Sequence, residues 1–109
     1  MFTKKDDSGW TEPIANIFMK STVWGDKTLM TRFKLGKGST LPLHSHPHEQ
    51  TGTLISGHIV LTVGDESHDV YPGDCWCIHG DVSHGAEIVE DSEAIEVFSP
   101  VREDYIPES

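Results

Sequence analysis

Short runs rich in β-branched and aromatic residues recur along the chain at roughly ten-residue intervals, each closed by Gly, Asp or Pro. Nowhere does a helical period persist over a useful length. The pattern predicts strands at Ile14–Lys20, Thr28–Leu35, Leu41–His46, Thr51–Ser56, His58–Val63, Ser67–Val70, Asp74–His79, His84–Val89 and Ala94–Ser99. Between them, Gly36-Lys37-Gly38, Ser56-Gly57, Gly64-Asp65, Pro72-Gly73-Asp74 and Gly80-Asp81 have the chemistry of tight turns. A series of hairpins of this kind belongs to an all-β sandwich or barrel.

Composition narrows the picture. At 109 residues the expectation is a single domain spanning 1–109, with an N-terminal extension over about 1–13 and a polar tail over about 101–109 whose last residues fray. Eight basic against 18 acidic residues leave a formal charge of −10, which disfavours nucleic acid and anionic membranes as partners. A small anionic substrate stays compatible, provided a local cation or metal offsets the field in a pocket. Near the N-terminus, Lys4, Lys5, Asp6 and Asp7 precede no long apolar stretch, so neither a signal peptide nor a membrane helix is expected and the cytoplasm is the expected location. Cys75 and Cys77 lie two apart on a predicted strand, badly placed to bond each other, and are expected in the core beside Trp76. Trp10 and Trp24 either cover a barrel end or make a dimer contact. Edge strands in such sandwiches favour a homodimer.

The main chemical signal is His44-Ser45-His46-Pro47-His48-Glu49-Gln50. On a strand, residues 44 and 46 project to one face, so two imidazoles can reach one ion from a rigid support. Pro47 favours a bend that swings the Gln50 amide oxygen round as a third ligand. His84 follows a Gly-Asp turn and opens the next apolar strand, which makes it the best candidate for a fourth. Three imidazoles and a neutral oxygen suit one divalent ion, Zn, Ni, Fe, Mn or Cu, without choosing among them. His48 falls after the proline and reads as a supporting or exposed residue. For His58, His68 and His79 ordinary hydrogen bonding is the default.

Glu96 and Phe98 share one face of the last strand, so the Glu96 carboxyl lies either at the rim in water or inside a cavity beside the metal. If it lies inside, burial raises its pKa while a metal lowers it. Arg102 offers a planar, bidentate partner for a substrate carboxylate or, alternatively, a surface ion pair with Glu103 or Asp104.

The spacing Gly38, five residues, His44-x-His46, three residues, Gln50, six residues, Gly57 resembles the first motif of the cupins, with Gln50 where Glu is usual. Gly73, five residues, His79-x-Asp81, two residues, His84 resembles the second, with His79 for Pro, Asp81 for Gly, and Ile88 where Asn is frequent. The resemblance implies a single-domain cupin: a double-stranded β-helix, or jelly-roll barrel, with metal motifs over 38–57 and 73–88. The strings from His44 to Gln50 and from Phe98 to Asp104 look like those of small bacterial cupins that open unsaturated uronate rings in pectin and alginate breakdown. That likeness implies a metal held by His44, His46, Gln50 and His84, with Glu96, Phe98 and Arg102 handling the substrate. Glu96 departs from the Asp usual at its position. A metal-dependent dioxygenase acting on a small organic molecule, and a non-enzymatic small-molecule sensor, are the alternatives.

Overall fold

The computed structural model describes residues 1–107. Glu108 and Ser109, at the end of the expected tail, lie outside them. Among the described residues eight strands carry the fold: β1 (Thr11–Ile14), β2 (Ile17–Trp24), β3 (Leu29–Leu35), β4 (Thr40–His44), β5 (Glu49–Val63), β6 (Glu66–Val70), β7 (Cys75–Ile78) and β8 (His84–Ser99). A short 3-10 turn, Glu103–Tyr105, follows. Among the described residues no helix is long and apolar enough to cross a membrane.

The predicted strand Ile14–Lys20 is divided. Asn16 takes a positive φ of 63° and makes the hairpin that pairs Ile14 with Ile17. The opposite difference occurs at the expected Ser56-Gly57 turn and between Val89 and Ala94, where separate strands were expected and two continuous ones run through. The cause is a bend. β5 and β8 pair along most of their length, and their register shifts between Leu54 and Ile59. Gly57, at φ 94°, lies so close to β8 that a Cβ there would sit 2.1 Å from Ser92 Oγ and 2.4 Å from the Asp91 carbonyl. The buried Ser92 hydroxyl receives the His58 N–H at 3.1 Å and donates to the Glu90 carbonyl at 2.7 Å. A local glycine signal thus marks a kink in paired strands, which sequence reading takes for a loop.

The bend divides the sheet into two layers. In one, the second half of β8 pairs with β3 and with the first half of β5, with β2 and β1 beyond β3 and β7 on the far side of β5. In the other, the first half of β8 pairs with β4 and with the second half of β5, which carries β6. Leu54 and Ala94 from the first layer pack with Ile59, Leu61, Val70, Ala86 and Ile88 from the second, forming the apolar core. Folding β8 back on itself in this way returns His84, at its start, toward Phe98, near its end.

β7 corrects one expectation. Both cysteines are exposed, and it is Trp76 that turns inward against the core. Alternation along Cys75-Trp76-Cys77-Ile78 allows one parity to be buried, and the large indole and isoleucine occupy it. Trp10, ahead of β1, lies under Arg32 and Lys34 of β3 in cation–π contact.

Candidate metal centre and cavity

His44 ends β4 and stands directly across from His84 at the start of β8, while His46 follows in the loop. The ring centroids lie 4.3 Å apart for His44 and His84, 4.9 Å for His46 and His84, and 5.8 Å for His44 and His46. In each ring the Nδ1–H donates to a backbone carbonyl: His44 to Pro42 at 2.8 Å, His46 to His48 at 3.0 Å and His84 to Val82 at 2.8 Å. A carbonyl only accepts, so these bonds place the proton on Nδ1 and leave the lone pair on Nε2. The Nε2 atoms of His46 and His84 are buried with no hydrogen-bond partner, and so is Oε1 of Gln50. Orphaned acceptors in a buried site are costly unless something electropositive meets them.

The three imidazoles offer ligand atoms that all lie within 4.8 Å of one another, a group that can hold a metal ion. Burial pushes the His46 and His84 pKa values below the ordinary imidazole value of 6.5, and the Arg102 charge pushes the same way. Both rings are therefore neutral near pH 7, as a ligand must be. The donor set fits a divalent cation.

Gln50 belongs to β5 and is only 5% exposed, paired with Ile78 of β7 on one side and Phe98 of β8 on the other. Its amide nitrogen donates to Glu96 Oε2, which fixes the flip of the amide and directs Oε1 elsewhere, beside the His46 ring. Trp76 donates to the same carboxyl oxygen through Nε1 at 2.9 Å. Gly52 makes that reach possible: it lies between Trp76 and Glu96 in register, and a Cβ on it would stand 2.5 Å from the indole. The Glu96 carboxyl is enclosed, and burial raises its pKa above the usual 4.5, although Trp76, Gln50 and Arg102 pull the other way. The structure thus places Glu96 in the cavity and not at a wet rim.

That cavity, of about 280 Å³, is lined by His44, Gln50, Trp76, His84, Glu96, Phe98, Arg102 and Tyr105 toward the imidazoles. Its other walls are apolar, among them Met19, Phe33, Leu35 and Leu61. Phe98 is 1% exposed and borders the His46 ring at 6.0 Å. The Arg102 guanidinium carbon stands 3.8 Å from the Tyr105 ring centre and 5.2 Å from that of Phe98. Its Nη2 and Nε donate to Asp104 at 2.9 and 3.3 Å. Burial would raise the Asp104 pKa, yet the Arg102 hydrogen bond and charge hold it below its usual value. Of the two expectations for Arg102 the structure shows the ion pair, made with Asp104, and the residue also lines the cavity.

The structure brings His44, His46, Gln50, His84, Glu96, Phe98 and Arg102 to one place. Sequence reading missed Trp76 and Tyr105. For Trp76 the available signal was Gly52 in the middle of a strand, a mark of close approach by another group. Tyr105 lies three residues past Arg102 in the terminal 3-10 turn and had no periodic signal. Of the remaining histidines, His48 orients His46 through its carbonyl, while His58 bonds Asp69 at 2.8 Å and stacks on Tyr71. His68 and His79 contact Glu66 and Glu49.

Comparison with known proteins agrees with this architecture. The structure of KdgF from Halomonas sp. superposes with a TM-score of 0.91 at 26% identity, covering 97% of this chain and 98% of that one. An RmlC-like cupin from Shewanella frigidimarina gives 0.90 at 21% identity over 96% and 95% of the two chains. A predicted oxalate decarboxylase from Thermotoga maritima gives 0.70 at 22% identity over 78% and 81%. No curated protein sequence matches. Residues 31–99, more than half of the chain, match the Cupin domain family, and the protein belongs to it.

Proposed function

We propose that the chain is a metal-dependent enzyme that opens the ring of a small unsaturated uronic acid. The observation that carries this reading is the convergence of three neighbouring imidazoles, His44, His46 and His84, with a cavity lined by the Glu96 carboxyl and the Arg102 guanidinium. The likeness of His44–Gln50 and Phe98–Asp104 to the uronate ring-opening cupins supports it. So does the full-length match to one small cupin, which extends through that C-terminal segment.

A divalent ion held by His44, His46, His84 and Gln50 would supply Lewis-acid polarisation of substrate oxygens. Arg102 spends one edge of its fork on Asp104, and its remaining N–H groups can meet the substrate carboxylate. Stacking on Phe98 and Tyr105 holds the guanidinium plane in place. Glu96 moves the proton. As carboxylate it takes the anomeric hydroxyl proton while the ring C–O bond breaks and the aldehyde C=O forms. The electron pair released passes through the ring oxygen into the adjacent C=C bond, whose far carbon recovers the proton from Glu96. The sum is an isomerisation to an open keto acid, with no atom gained or lost. A pKa raised by burial suits Glu96 to both halves of that exchange.

The test is incubation of metal-loaded protein with an unsaturated monouronate. Ultraviolet absorbance of the conjugated double bond should fall faster than in a buffer blank, and equal rates would sink the reading. The apolar inner walls favour one second reading, a dioxygenase acting on a small molecule with an apolar body. Oxygen uptake with the iron-loaded protein would select it.

A further inference from the structure

Glu49, Cys77 and His79 form a second constellation on the outer surface of the same wall. Cys77 lies on β7 and His79 two residues beyond it, so both side chains have the parity that faces solvent. Gln50 pairs with Ile78 and Thr51 with Cys77, which brings Glu49, at the start of β5, opposite His79. A thiol, an imidazole and a carboxylate thus converge from two hydrogen-bonded strands, with ligand atoms all within 4.8 Å of one another. The inner triad is assembled by a similar device, an x-intervened pair at the end of one strand and a partner across the ladder.

We propose that Glu49, Cys77 and His79 bind a divalent ion of zinc type, separate from the ion of the inner cavity. One thiolate, one imidazole and one carboxylate with a position left for water is a borderline-soft donor set. Glu49 Oε1 and His79 Nδ1 are 3.2 Å apart, close to the roughly 3.4 Å that separates an oxygen and a nitrogen ligand on a tetrahedral zinc ion. All three side chains are exposed, so a small rotation completes the approach without disturbing the core. Binding replaces the Cys77 S–H bond by a sulfur–metal bond and releases the proton to solvent, with no change of oxidation state. The ion would join β7, an edge strand, to β5 at the rung that carries Gln50.

Sulfur ligation separates this site from the inner one, which holds no thiolate. Titration of the purified chain with Co(II) should produce a near-ultraviolet sulfur-to-cobalt charge-transfer band. The band should persist in C75S and in the H44A/H46A double variant, which lacks the inner pair. It should vanish in C77S, which loses one equivalent of zinc in competition titrations, and weaken in H79A and E49Q, whose affinity for that equivalent falls. A band lost with C75S, a band absent from the unaltered chain, or one that forms only as two chains associate would overturn the proposal. The result is independent of uronate turnover, so this site and the proposed activity can fail separately.

Discussion

The two faces of the β7–β5–β8 wall use one alternating sequence to opposite effect. Inward, Gln50, Trp76, Glu96 and Phe98 are packed, and each polar group among them is aimed by a hydrogen bond or by burial. Outward, Glu49, Cys77 and His79 carry ligand chemistry of similar richness, held by little beyond the Glu49–His79 contact. Residue type is thus not what distinguishes a prepared site from a loose one. The difference is enclosure, which makes an unmet Nε2 or Oε1 expensive and fixes the direction in which it waits.

Removing the inner imidazoles should break the comparison most severely. An H46A/H84A double variant is expected to lose the inner equivalent of metal and to reduce uronate turnover to background, as measured by elemental analysis and the absorbance assay. Metal retained at full stoichiometry in the inner cavity would mean that the orphaned acceptors serve another purpose.

Glu96→Gln should lower kcat by about 10²–10⁴-fold while leaving the metal content unchanged. The same variant tests enclosure through pH. Burial raises the Glu96 pKa, so the neutral form favours the native state fully below 4.5, and that advantage is lost as pH rises through the raised native value. Glutamine cannot ionise, and E96Q should flatten this part of the stability profile in metal-free protein, followed by denaturant melts.

Gly52→Ala should overpack the Trp76 indole at a cost of about 1–3 kcal/mol and loosen its bond to Glu96. Chemical denaturation and tryptophan emission would report both effects, and unchanged emission would place the indole elsewhere. Metal binding through His46 and His84 should hold to lower pH than imidazoles of the ordinary pKa would allow, because burial lowers their pKa values and keeps them neutral further into acid. Affinity should fall only as pH drops through those lowered values, which competition titrations across pH would trace. The smallest effect belongs to the outer face: C75S should change stability by less than about 0.5 kcal/mol, since Cys75 is exposed.

Much of this was legible along the chain. Alternating runs and turn residues predict an all-β molecule, and the spacing around His44, His46, Gln50 and His84 marks the residues that surround the candidate metal centre. Those signals are local or carried by a motif, so they survive without coordinates. Periodicity alone could not say whether Glu96 faced water or a cavity, nor which parity of β7 was buried. Both depend on what lies across the ladder. Gly52 leaves room for Trp76, Trp76 reaches Glu96, and the cysteines are left outside. Nor could a one-dimensional reading distinguish a turn from a kink at Gly57, where the close approach of Ser92 from a strand far along the chain is decisive. Residue types and their spacing are written into the chain. Which of them become enclosed together is set by long-range pairing of β5 with β8, because burial is a property of neighbours and not of position in sequence.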